Sequence, residues 1–248
     1  MGDMGKLSLD RWGYHTGITS VADKIPTAGE NVHDDTNDAA GQVHDAPNVG
    51  VAKTGSDGED VLGYAYSNDM MTLSLSLSAS NAGSEESAAV TINAVEGLSV
   101  GGAIGTNMND TAGRLNQEDD LTTMFATYTM GPVSVGYQGY YLNRGSAPTI
   151  GDTSPGADYS GDAIGIAFNV NDNVSIGYQK VSETQEANAA GASSVLASDR
   201  DIKSLSAAYS SGGMTMSIQQ TDTDNYSFAT AGNELDTETV QVTLSFAF

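Results

Sequence analysis

The chain contains no cysteine. That excludes disulfides, thiolate zinc sites and cysteine nucleophiles, and is compatible with an oxidising compartment. Basic residues are scarce: nine Lys and Arg stand against 32 Asp and Glu, a formal net charge of −23 over 248 residues. No basic stripe exists to neutralise phosphates, so nucleic acid is excluded as a partner. The same balance argues against a channel for acidic sugars. It favours small cations, divalent ions or a salt-rich surrounding, though charge says nothing about fold. Proline is rare, at five residues, whereas glycine numbers 29. No stretch approaches the ~18 consecutive apolar residues of a spanning helix. The opening MGDMGKLSLD has neither the basic start nor the apolar run of a signal peptide. The expectation is that an exported form has lost its signal or that the front of the chain is missing.

What is present is alternation. Near the end of the chain Val240, Val242, Leu244, Phe246 and Phe248 share one parity, and Gln241, Thr243, Ser245 and Ala247 the other. Successive strand side chains point to opposite faces, so this makes a ribbon with one apolar and one polar side. Met71, Leu73, Leu75, Leu77 and Ala79 alternate with Thr72, Ser74, Ser76, Ser78 and Ser80 in the same way. About twelve such segments are expected: 5–12, 60–67, 71–80, 88–95, 98–108, 121–130, 133–144, 161–170, 174–183, 202–210, 214–221 and 238–248. The length suits one β domain over residues 1–248.

The connections alternate in length. Short ones at 68–70, 96–97, 131–132, 171–173 and 211–213 each contain Asn, Asp, Gly or Pro, fit for tight hairpins. Longer polar and acidic ones are expected at 13–60, 81–87, 109–120, 145–160, 184–200 and 222–236. The pattern predicts an all-β, antiparallel up-and-down meander whose two ends meet different surroundings, as in transmembrane barrels. Tyr64, Tyr66, Tyr128, Tyr137, Tyr141, Phe168, Tyr178, Tyr209, Phe246 and Phe248 fall on the apolar face near strand ends, where aromatic girdles belong. The polar face, mostly Ser, Thr, Gln, Asn and Gly, suits a water-filled lumen. The competing reading is a soluble sandwich, a secreted adhesin or lattice protein whose apolar faces meet in a core.

No catalytic constellation accompanies the pattern. His15, His33 and His44 lie in or beside one loop, and none sits on a strand at the wall. Gly101–Gly105 resembles a phosphate-binding loop only superficially, since no helix follows it. An enzyme is not expected. The run HDDTND with Asp45 nearby offers Asp34, Asp35, Asp38 and Asp45 to a hard cation such as structural calcium, but no EF-hand spacing is present. No cofactor is expected beyond that.

In its order of segments the chain resembles the general porins of Gram-negative bacteria, of the alphaproteobacterial type. The terminal VQVTLSFAF ends in phenylalanine, with Phe246 and Phe248 as the periplasmic-end signature. MGKLSLDRW resembles the strand before that family's inward-folded third loop, and the longest loop, 13–60, follows it. GPVSVGYQGYYLN and DNVSIGYQKVSE resemble its short turns and ascending strands. The resemblance implies a transmembrane barrel of sixteen strands, so four strands are expected to be absent from the front; a genuine twelve-stranded barrel, with a specific solute, is the alternative. It further implies an outer-membrane homotrimer in a bilayer with lipopolysaccharide, passing small hydrophilic solutes, with cation preference. The middle of the long loop would line the constriction, with Glu30, Asp34, Asp35 and Asp38 as its acids. Lys6, Arg11 and Arg144 are the candidate bases on the wall.

Overall fold

The computed structural model describes residues 4–10, 16–29, 61–80, 83–109, 117–144, 157–187, 198–225, 228 and 235–247. Twelve strands run in chain order: β1 (Lys6–Asp10), β2 (Val61–Ser67), β3 (Met71–Ser80), β4 (Gly83–Val95), β5 (Leu98–Asn109), β6 (Gln117–Met130), β7 (Val133–Arg144), β8 (Ala157–Asn169), β9 (Val174–Ala187), β10 (Ser198–Ser211), β11 (Met214–Asp224) and β12 (Thr237–Phe246). Each pairs antiparallel with the next in a single sheet of order β1 to β12, so the meander expected from loop spacing is present. Among the described residues, neither β1 nor β12 has a strand on its other edge. There is no α-helix among them, only a 3₁₀ turn at Gly17–Val21.

The short hairpins follow from local chemistry. Gly97 and Gly131 have φ of 77° and 57°, and Gly212 and Gly213 58° and 83°, a region glycine enters without a Cβ penalty. In two others an asparagine caps the turn. Asn68 Oδ1 accepts the N–H groups of Met70 and Met71, both at 2.9 Å, and Asn171 Oδ1 those of Asn173 and Val174.

The opposite end departs from the sequence expectation. Residues 83–87 belong to β4, so the connection expected over 81–87 shrinks to residues 81–82. The strands β6, β8, β9, β10 and β11 likewise extend into stretches expected as loop. The reason is composition: Glu, Asp, Ser and Thr on both parities end the apolar alternation without ending the hydrogen-bond ladder. The strands outrun their own apolar band.

The apolar parity faces outward and stays exposed. Ile104 is 63% exposed, Leu205 62% and Val242 63%. Tyr128, Tyr137, Tyr141, Phe168, Tyr178, Tyr209 and Phe246 are also exposed on this face. Phe248 lies outside the described residues. A soluble sandwich would bury these side chains against one another, so that reading is corrected. A surface this apolar on every strand suits hydrocarbon rather than water.

The inner face holds a surprise. Leu121, Phe125 and Leu142 are buried there, as are Val181 and Ile202. The inner wall, expected to be mostly Ser, Thr, Gln, Asn and Gly, is apolar at these positions because a second piece of chain covers them.

Candidate functional site

That covering piece is residues 16–29. It lies on the concave side of the sheet and meets successive strands in order. Gly17, φ 56°, donates its N–H to Ser74 Oγ on β3 at 2.8 Å. Ile18 donates to Ser87 Oγ on β4 at 2.9 Å. Gln138 on β7 is fully buried beneath the segment. Its Nε2 donates to Val21 O at 2.8 Å and to Thr123 Oγ1 at 3.2 Å, and its Oε1 accepts the Lys24 N–H at 3.0 Å. Gln179 on β9 donates to Ile25 O at 3.5 Å. Thr27 and Ser206 on β10 share a hydroxyl–hydroxyl bond of 3.3 Å. A segment without strand partners must satisfy its backbone groups elsewhere, and the inward serines and glutamines do so. This strap is therefore fastened by the polar parity that the sequence pattern assigned to a lumen.

Apolar contacts hold it as well. Ile18 and Val21 pack with Ala89, Ala103, Leu121, Phe125 and Leu142. Ile25 packs with Ala163, Val181 and Ile202. Burying side chains of this size contributes about 1.5–3 kcal/mol each.

Charge within the strap is sparse. Asp23 takes a positive φ of 53° and Lys24 follows it. The Lys24 Nζ stands 5.9 Å from the centre of the Phe125 ring. Burial lowers its pKa below the ordinary lysine value of 10.5, and the neighbouring Asp23 carboxylate opposes that only in part.

Further along the inner wall, toward the long-loop end, Glu183 and Arg200 stand opposite each other on β9 and β10. Arg200 Nε donates to Glu183 Oε2 at 2.6 Å, and both side chains are only 6% exposed. Tyr140 on β7 donates its hydroxyl to Glu183 Oε1. The Arg200 guanidinium lies over Phe228 at 4.5 Å, and Phe228 meets Tyr159 edge-on. This cluster was missed in the sequence because residues 184–200 read as loop. Its signal was parity: Glu183 continues the inward series Gly177, Gln179, Val181, and Arg200 precedes Ile202 and Ser204.

Of the residues singled out from sequence, Lys6 lies on the inward parity of β1, with Ser8, and is exposed. Arg144 ends β7 on the parity of Gln138 and Leu142. Arg11, Glu30, Asp34, Asp35, Asp38 and Asp45 lie outside the described residues, as do His15, His33 and His44. Among the described residues no group of three or more His, Asp or Glu could hold a metal ion.

No family model and no curated protein sequence matches this chain. Solved structures do. A porin refined at 1.8 Å resolution aligns with a TM-score of 0.68 at 13% identity, over 100% of this chain and 79% of that one. A loop-deletion mutant of OmpT, an outer membrane protein of Vibrio cholerae, aligns at 0.64 and 14% identity, over 89% and 70%. OccK3 of Pseudomonas aeruginosa aligns at 0.59 and 16% identity, over 77% and 57%. At these identities the likeness is one of fold: the chain has the antiparallel up-and-down architecture of outer-membrane β-barrels.

Proposed function

We propose that this protein is a bacterial outer-membrane porin, a non-catalytic passive channel for small hydrophilic solutes. One observation carries the reading: a strap crosses the concave face of a sheet whose convex face is apolar and exposed. A polar lumen narrowed from within, inside a lipid-compatible wall, is an arrangement for diffusion past a constriction. The porin and OccK folds support it.

Cation preference is part of the proposal. The chain leaves the described strap at Gly29, which sits against Ser206 and Gln219 on the inner wall, and the next residue in sequence is Glu30. Asp34, Asp35 and Asp38 follow. Carboxylates at a pore favour cations. Hard cations such as calcium are proposed occupants for the same acids.

Among the described residues neither β1 nor β12 has a further strand beside it, which supports a larger barrel. Unpaired backbone groups are not tolerated against hydrocarbon. We therefore propose that further strands close the wall, giving the sixteen of the alphaproteobacterial porin type. A homotrimer embedded in lipopolysaccharide-bearing membrane completes the reading; a related OmpT structure is described as a trimer.

Reconstitution into a planar bilayer tests it. The expected outcome is stepwise conductance, with a KCl-gradient reversal potential of cation-selective sign. Absence of steps from folded protein would remove the porin reading. A reversal potential unmoved by the Asp34→Asn, Asp35→Asn, Asp38→Asn triple variant would remove the role of these acids. Because the chain has no cysteine, a single engineered pair on inward positions of β1 and β12, Ser8→Cys with Ser245→Cys, tests closure. An intramolecular disulfide would mean that the two strands are direct neighbours.

A further inference from the structure

Residues 25–28 of the strap cross three adjacent strands at one inward glycine each. These are Gly136 on β7, Gly165 on β8 and Gly177 on β9, and Gly136 and Gly165 are register partners. A Cβ placed on Gly136 would stand 2.5 Å from Pro26 Cδ and 3.3 Å from Ile25 Cα. On Gly165 it would stand 2.6 Å from Pro26 O, and on Gly177 2.6 Å from Ala28 N. These are mostly backbone atoms or a proline ring, which cannot swing aside as the end of a long side chain can. None of the three glycines has the positive φ that would explain its choice by conformation. What each provides is depth: the strap lies directly on the sheet backbone.

We propose that Gly136, Gly165 and Gly177 form a seat whose depth sets the width of the passage, making them size-determining residues of the channel. The inference deepens the porin reading and rests on it. A methyl group at any of the three would lift the strap by about 1 Å, the difference between the distances above and an ordinary carbon contact of about 3.5–4.0 Å. The wall behind is continuous sheet, so the strap can move only toward the lumen. Neighbouring fastenings on the same stretch, Gln179 to Ile25 O and Ser206 to Thr27, hold the strap in line over the seat.

Single-channel conductance and liposome swelling with sugars of rising size test the seat. Gly165→Ala and Gly177→Ala are expected to lower conductance, with the largest loss of swelling rate for the largest sugars. Gly139→Ala, whose added methyl faces outward toward the Tyr137 hydroxyl, is expected to leave both unchanged. Gly136→Ala should lose conductance and recover it in Gly136→Ala/Pro26→Ala, because the nearest atom to the new methyl, Pro26 Cδ, is then gone. Unchanged conductance and size dependence in the seat variants would overturn the proposal, and so would a Gly136→Ala loss that the double variant does not recover.

Should the alanine variants fail to fold, a lock decides. In Thr27→Cys/Ser206→Cys, oxidation is expected to form a disulfide and leave conductance as in the wild type. Failure of the bond to form, or a conductance changed by it, would overturn the seated position. If the wild type itself does not conduct, the porin reading fails while disulfide formation still reports on the seat.

Discussion

Gln138 and Val242 occupy the two faces of one sheet, and their environments are the reverse of a soluble protein's. The glutamine is wholly buried and the valine 63% exposed. The outer face repeats one apolar parity from strand to strand, as a single uniform solvent such as hydrocarbon would require. The inner face is various: hydroxyls and amides where the strap needs donors and acceptors, leucine and phenylalanine where it presents Ile18 and Val21, and bare glycine where its backbone lies lowest. A solvent imposes a pattern, whereas a specific segment imposes particular residues.

The largest effect expected on either face is at the inner ion pair. Arg200→Met leaves Glu183 buried without its cation and should cost about 3–5 kcal/mol, while Glu183→Met/Arg200→Met should be close to neutral. Denaturant titration of the folded band on unheated gels reads both. Equal losses in the single and double variants would mean that the cluster is held by something other than its charges.

A lysine tests the faces against each other. Ile166→Lys, in the outer apolar band, should destabilise the membrane-inserted protein by about 2–4 kcal/mol. Ser217→Lys, on the inward parity of β11, should cost far less and shift selectivity away from cations instead. If the serine variant were as unstable as the isoleucine one, the assignment of water to the inner face would be wrong.

Smaller is the loss expected at Gln138→Leu. It leaves the Val21 carbonyl and the Lys24 amide of the strap without their partner, at about 1–3 kcal/mol. Rising open-channel noise at unchanged mean conductance would accompany it, since the strap's other fastenings remain.

The smallest effect belongs to Lys24. Its pKa is lowered in the fold by burial. The cost of holding its charge there is present at neutral pH and is relieved as pH rises through the lowered value toward 10.5. Thermal midpoint should therefore climb slightly in that alkaline window, and cation selectivity with it, and Lys24→Met should abolish both changes. An identical pH profile in the variant would place the Lys24 charge in open water.

Much of the fold was readable because a strand backbone turns successive side chains to opposite faces, so that one apolar face appears in the sequence as a period of two. Leu73, Leu75 and Leu77 against Ser74, Ser76 and Ser78 declare a face regardless of neighbours. The long-loop end was less legible: Glu183 and Arg200 ended an apolar alternation, although their ladder continued. Of the strap, the sequence marked the long stretch between β1 and β2 that contains it but not the path of residues 16–29. Gly165 and Gly177 look like any strand glycine until Pro26 and Ala28 are laid across them.

By itself the sequence determined the twelve strands of this chain, the positions of the short turns, the sense of the meander and which parity is apolar, since each depends on neighbours in the chain or on a uniform solvent. The tertiary structure alone decided that residues 16–29 lie against β3 to β11, that Glu183 finds Arg200, and that three glycines share one track. Those are meetings between residues as many as 190 positions apart, as Gly29 and Gln219 are. Curvature of the sheet brings them together, and no local pattern carries the curvature.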